Sequence, residues 1–243
     1  MKVLAIGNSF SQDSSRYLHS VAESAGVDLT VVNLYIGGCS LETHAQNIKG
    51  DIAAYDYELN GSEALKKISV KDALLSDEWD VVTLQQASHY SGIPDTYEPF
   101  GSVVIEKIKK YAPNAKIYFH MTWAYEKDSN HPLFSLFCGQ SGMYDRILDA
   151  TKSFAKAHGI DIIPVGRVIQ ALRAIPPFDY PEGISLCRDG FHLSLTYGRY
   201  AAAATWLEVL CGRLADASYI PPETTPEYIS IINNTVISTV KEQ

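Results

Sequence analysis

Short runs of β-branched and apolar residues alternate along this chain with longer stretches whose apolar residues recur every three or four positions, the arrangement of a parallel sheet flanked by helices. The run KVLAI, residues 2–6, is apolar without alternation, as in a strand covered on both faces. After it DSSRYLHSVAESAG, residues 13–26, sets Tyr17, Leu18, Val21, Ala22 and Ala25 at helical spacing and stops at Gly26. Further strands are expected at DLTVVNLYI (28–36), WDVVTLQ (79–85), KIYFHMTW (116–123) and GIDIIPV (159–165). Helices fit at about 99–111 and 142–158, with VGRVIQALRA (165–174), LTYGRYAAAATWLEVLCG (195–212) and a terminal helix at 226–241 completing the outer layers. The pattern predicts one doubly wound, three-layer α/β/α domain over residues 1–243.

Residues 37–78 do not fit a single crossover helix. THAQNIKGD suggests a short helix, and YDYELNGSEALKKIS alternates tyrosines around Asn60-Gly61, a preferred pair for a tight hairpin turn. A β-hairpin excursion after the second strand is therefore expected. Residues 124–141 and 175–191 are long polar or proline-rich connections, and in such folds the loops at the carboxyl ends of the strands build the site.

Composition narrows the chemistry. With 243 residues, 46% of them hydrophobic and 11% aromatic, the chain can fill a sizeable core. A net charge of −8, with only the short pairs Lys66-Lys67 and Lys109-Lys110 as basic clusters, disfavours a nucleic-acid surface, which needs clustered cations against phosphate. Cys39, Cys138, Cys187 and Cys211 lie far apart, without C-x-x-C spacing, and read as thiols rather than a disulfide framework. No run approaches the ~18 apolar residues of a membrane span. Because the N-terminus enters a strand directly, the sequence as given is expected to be cytoplasmic, and secreted or periplasmic only if an export signal precedes it. Neither G-x-G-x-x-G nor G-x-x-x-x-G-K-[ST] occurs, and no H-x-x-x-H pair, so no nucleotide cofactor and no metal are expected.

Three short blocks carry candidate chemistry. In GNSFS, residues 7–11, Ser9 falls at the carboxyl edge of the first strand, where it either acts as an exposed nucleophile or, like Ser11, caps a helix. In CRDGFHLS, residues 187–194, Asp189 and His192 stand three apart, so that the carboxylate can hold one imidazole nitrogen and leave the other to take a proton from a serine. In YIGGCSL, after the second strand, Gly37-Gly38 makes a turn, or Gly38 offers an open backbone N–H to an oxyanion.

Together these blocks resemble the SGNH (GDSL-like) hydrolase superfamily in the right order along nearly the whole chain, most closely a bacterial branch with a GNSFS opening and a DGFHLS close. The resemblance implies a flavodoxin-like, five-stranded parallel sheet and a serine esterase without cofactor. It assigns Ser9 as nucleophile, His192 as base and Asp189 as its orienting acid, with an oxyanion hole from the Ser9 and Gly38 N–H groups and a third donor. The family's first block reads Gly-Asp-Ser; here Asn8 replaces the aspartate. Where the family has an asparagine after the third strand this chain reads VVTLQQAS, so the third donor falls to Gln85, which ends the strand, or alternatively to Gln86.

The expected partner is a small-molecule ester, an acetyl group on carbohydrate first and a lipid or aryl ester second. No nucleic acid and no membrane are expected as partners. Asn8, His89, Tyr90, Trp123 and Tyr125 are the candidate pocket residues, joined by His131, Phe134 and Phe137; aromatic faces suit sugar rings, and they also pack loops. A carbohydrate-binding protein that keeps this fold without turnover is the competing expectation.

Overall fold

The computed structural model describes residues 1–242, apart from the side chain of Leu65. Its strands are β1 (Lys2–Gly7), β2 (Thr30–Tyr35), β3 (Tyr55–Leu59), β4 (Ala64–Ile68), β5 (Val81–Leu84), β6 (Lys116–His120) and β7 (Asp161–Ile163). They form one sheet in the order β4-β3-β2-β1-β5-β6-β7. From β2 to β7 all neighbours run parallel, with Ala5 opposite Asn33 on one side and Thr83 on the other. Five parallel strands therefore end at one edge.

Alternation along each strand sorts its side chains into two cores. Val3, Ala5, Val31, Val81 and Tyr118 join one apolar cluster, and Leu4, Ile6, Val32, Val82 and Phe119 the other. Over the first face lie α1 (Ser9–Ser15) and α2 (Leu18–Ser24). The second is covered by α3 (Leu41–Gly50), α4 (Val70–Leu75) and α5 (Phe100–Tyr111). The long α6 (Gln140–His158) gives Met143 and Ile147 to the first core and Ala150 and Phe154 to the second. The first face is completed by α7 (Val165–Leu172), α8 (Tyr197–Cys211) and α9 (Pro226–Lys241). None of these helices is long and apolar enough to cross a membrane.

Three features depart from the sequence pattern. The first helix starts at Ser9 rather than 13, because the Asn8 side chain caps it by accepting from the Phe10 N–H at 2.9 Å, and it breaks before Leu18. The expected hairpin forms and joins the sheet: β3 pairs antiparallel with β2 and extends the expected five strands to seven. Its turn has Asn60 and Gly61 in the left-handed region, at φ 51° and 73°, and a Cβ on Gly61 would stand 2.3 Å from the Arg16 carbonyl oxygen. Glycine thus lets the hairpin dock on the end of α1. Finally, α4 was not apparent in the sequence pattern; Ser69 caps it by accepting from the Asp72 N–H at 3.1 Å.

Candidate active site

The site is built where β1 turns sharply into α1. Gly7 is required there, since a Cβ would lie 2.2 Å from Ser11 Oγ. Ser11 is committed inward, donating to Asn33 Oδ1 at 2.6 Å, and leaves Ser9 as the partly exposed hydroxyl of the turn. Ser9 Oγ stands 2.9 Å from His192 Nε2, and His192 Nδ1 stands 2.7 Å from Asp189 Oδ2. Asp189 Oδ1 accepts the backbone N–H groups of His192 at 2.8 Å and Phe191 at 3.2 Å. Burial alone would raise the Asp189 pKa; the His192 hydrogen bond and these two N–H groups outweigh it and hold the carboxyl below its ordinary range. An ionised Asp189 fixes the proton on Nδ1, so the Nε2 lone pair faces Ser9. The line is open to water at its far end, where the Asp189 side chain is 42% exposed.

Gly38 lies on the exposed turn after β2 at φ 64°, a conformation that favours glycine. Among the described residues neither the Ser9 nor the Gly38 N–H has an acceptor, so both are free to donate.

Both glutamines, the expected third donors, are held by partners, and Gln85 keeps one of its two amide hydrogens uncommitted. Gln85 is buried and faces the α1 side, but its amide nitrogen donates to Asn8 Oδ1 at 2.6 Å while its oxygen accepts from His120 Nδ1 at 2.5 Å. These assignments follow from the backbone. Because Asn8 Oδ1 accepts the Phe10 N–H, it must be oxygen; Gln85 therefore presents nitrogen to it and oxygen to His120, whose Nε2 then accepts from Ser14 Oγ at 3.2 Å. Burial pushes the His120 pKa down to about 3, in keeping with a neutral ring. Gln86 faces the opposite layer, donating to Thr96 O at 2.9 Å and Oγ1 at 3.0 Å and accepting from the Leu41 N–H at 3.0 Å. It ties α3 to the loop after β5.

Three of the expected pocket residues also have other work. Asn8 is 1% exposed, and its amide nitrogen donates to the Cys39 carbonyl at 2.9 Å, pinning the Gly38 turn to the Ser9 turn. Trp123 is buried beneath the site: its ring stacks on Phe10 at 4.1 Å and its indole N–H donates to Phe191 O at 2.7 Å. Tyr125 is buried too, its hydroxyl 2.9 Å from Ser88 Oγ, and burial pushes its pKa up to about 12. Phe134 and Phe137 are likewise core residues.

His89 and Tyr90 do reach the surface, and with His131 and Phe191 they make a half-exposed aromatic row that ends at His192. Successive ring centroids along it are 4.2 Å (Tyr90 to His89), 6.0 Å (His89 to His131), 5.4 Å (His131 to Phe191) and 4.3 Å (Phe191 to His192). Burial, and after it the neighbouring His131, lowers the His89 pKa; burial and then His192 lower that of His131. Tyr90 also lines a cleft of about 310 Å³ with Ser40, Glu42, Asp95, Thr96 and Phe100, beginning two residues past Gly38.

Sequence reasoning missed Phe10, Phe191, His120 and above all Asp13. The Asp13 carboxylate is fully buried and paired with Arg188 and Arg199. Adjacent signals existed, since Arg188 directly precedes Asp189 and Asp13 follows Ser9 by one helical turn. No group of three or more His, Cys, Asp or Glu able to hold a metal ion occurs among the described residues.

Known proteins share this fold. A crystal structure of a DUF4886 family protein from Bacteroides uniformis superposes with a TM-score of 0.93 at 37% identity, covering 99% of this chain and 95% of that one. An acetyl xylan esterase, AlAXEase, superposes at 0.60 and 18% identity, over 86% of this chain and 100% of its own. A lipase/acylhydrolase from Enterococcus faecalis gives 0.54 and 13%, over 92% and 99%. The last two likenesses identify the fold, that of the SGNH hydrolases. No curated protein sequence matches the chain. The sequence pattern of the domain of unknown function DUF4886 matches residues 2–238, and by that match and the Bacteroides relative this chain belongs to the DUF4886 family.

Proposed function

We propose that this protein is a serine esterase that removes small acyl groups, acetyl first among them, from hydroxylated alcohols such as sugars. The observation that carries the reading is the unbroken line Ser9 Oγ, His192, Asp189, with contacts of 2.9 and 2.7 Å. As the Ser9 oxygen bonds to the ester carbonyl carbon, its proton passes to His192 Nε2, and the carbonyl oxygen becomes an oxyanion facing the free N–H groups of Ser9 and Gly38. Each such donor is worth about 3 kcal/mol in the transition state. Collapse breaks the bond to the alcohol, which leaves with the proton from His192. Water then gives a proton to His192 and attacks the acyl-serine, and the carboxylic acid departs as Ser9 regains its hydrogen.

The aromatic row from Tyr90 to Phe191 favours a ring-shaped alcohol, since half-exposed aromatic faces beside a reacting centre offer flat apolar contact. Acetyl xylan esterases among the structural neighbours use substrates of that class on the same fold. The test is labelling with a fluorophosphonate probe and hydrolysis of p-nitrophenyl acetate, each compared with Ser9→Ala and His192→Asn. Both variants should lose both signals with an unchanged far-UV spectrum; full labelling of Ser9→Ala would move the nucleophile elsewhere. A panel of acetylated sugars against p-nitrophenyl esters of increasing chain length then separates carbohydrate from lipid or aryl substrates.

A further inference from the structure

We infer that Asp13 is a positioning residue for the proposed reaction: one buried carboxylate on the nucleophile's own helix holds the loop that carries His192 and Asp189. The inference rests on the esterase reading above for its kinetic consequences, and on geometry alone for the placement.

Asp13 lies one helical turn after Ser9 on α1, and its side chain is fully buried. Its Oδ2 accepts the backbone N–H of Leu193, the residue next to His192, at 3.0 Å. Both of its oxygens lie 3.0 Å from Nη1 of Arg188, the residue next to Asp189. Its Oδ1 also accepts from Arg199 Nε at 2.8 Å, on the first turn of α8. A single carboxylate thus grips the segment at both ends of the Asp189–His192 pair.

The segment is otherwise closed on itself. Arg188 N–H donates to His192 O at 2.9 Å, Ser194 N–H to Leu186 O at 2.7 Å, and Cys187 bridges Leu193. Arg188 Nη1 also donates to Leu193 O. Residues 187–193 therefore move as a unit, and what matters for chemistry is how that unit sits against α1. Apart from the Ser9 to His192 contact itself, every polar link from α1 to this unit and to the start of α8 goes through Asp13. Phe10 adds non-polar ties, one directly to the His192 ring with centroids 5.9 Å apart, and one through its stack on Trp123, whose indole N–H holds Phe191 O.

Two guanidinium groups and one N–H converging on one carboxylate fit a positioning role better than a merely stabilising one. A buried ion pair is a poor source of net stability, because desolvation offsets attraction, whereas it fixes relative position well through its directed hydrogen bonds. Displacing a reacting pair by an ångström costs on the order of 10²-fold in rate.

The experiment uses the full chain with Asp13→Asn, which keeps an acceptor for Leu193 but removes the negative charge that both arginines face. Arg188→Lys, at a partly exposed position, is a second variant less prone to misfold. Ile108→Ala, in the core of the opposite layer, lowers stability without touching the site and serves as the control. Assays run at a temperature where all variants are folded. For Asp13→Asn, kcat on p-nitrophenyl acetate should fall ~10–100-fold with KM within about twofold, fluorophosphonate labelling should slow in parallel, and Arg188→Lys should change in the same direction. Ile108→Ala should keep the wild-type kcat. Independently of any substrate, the downfield proton resonance of His192 Nδ1 bonded to Asp189 should broaden or vanish in Asp13→Asn. An unchanged resonance and kcat in folded Asp13→Asn and Arg188→Lys would overturn the inference, as would a kcat loss in Ile108→Ala that tracks its loss of stability. A wild-type protein that neither labels nor hydrolyses would instead sink the esterase reading, leaving the resonance to decide the placement.

Discussion

Gln85 gives one amide hydrogen to Asn8, across a 2.6 Å contact, and so supports the Ser9 turn from beneath. Replacing it by alanine would strip a partner from Asn8, orphan His120 Nδ1–H and leave a cavity. Gln85→Ala should therefore lose ~2–4 kcal/mol of unfolding free energy, with any loss of activity following from that disorder. Denaturant titration beside steady-state kinetics checks this. A variant of wild-type stability whose kcat has dropped ~10²–10³-fold would assign the second Gln85 amide hydrogen to the oxyanion.

Asn8 is an amide for a physical reason. Its oxygen accepts two N–H groups while its nitrogen donates to the Cys39 carbonyl at 2.9 Å, a combination that a carboxylate cannot supply. Asn8→Asp should destabilise the protein by roughly 2–3 kcal/mol near pH 8, since a buried oxygen then faces a carbonyl. The deficit should shrink as the pH falls, because protonation restores a donor. A stability difference independent of pH between 8 and 5 would count against this account.

Gly7→Ala tests the turn from the steric side. The added Cβ, 2.2 Å from Ser11 Oγ and 3.3 Å from Gln85 Cδ, would push Ser11 off Asn33. A loss of ~1–3 kcal/mol by denaturant titration is expected, and wild-type stability would mean that the turn relaxes freely.

Acid should weaken the fold through two buried imidazoles. His44 and His120 are both fully buried, and burial pushes each pKa down to about 3 from an unfolded value of 6.5. Between those values the unfolded chain binds more protons, so the stability each neutral ring carries is complete above about pH 6.5 and drains as the pH falls. The slope should approach roughly 1.4 kcal/mol per pH unit for each ring. Denaturant titrations at pH 7, 6 and 5 measure it; a flat profile would show that neither ring is held neutral.

Local signals made much of this architecture legible. The terminal helix runs from Pro226 to Lys241, where a proline in the first turn and the Thr225 cap mark its start in the sequence itself. KVLAI reads as a strand buried on both faces, and the order of motifs puts Ser9 and Gly38 after the first two strands and the Asp189–His192 pair just before the last long helix but one. What stayed hidden depends on partners far away in the chain. Asp13 meets residues 175 to 186 positions later, Gln85 is claimed by Asn8 and His120, and Trp123 is buried because Phe10 lies on it. Residue type and spacing cannot say which of two amides is already spoken for.

The hairpin also decides how the sheet meets other molecules. Without β3 and β4, the margin of the sheet would be β2, an apolar strand of six residues with open backbone groups. With them, the outermost strand on that side carries Lys66 over the Tyr57 ring and Lys67 paired with Asp56 at 2.8 Å. The opposite margin, β7, is three residues long and pairs Asp161 with Lys116. Short or lysine-bearing margins are poor templates for a foreign strand, so the hairpin guards the molecule against edge-to-edge aggregation. Trimming it to a minimal five-stranded sheet would remove that protection along with the support it gives to the end of α1.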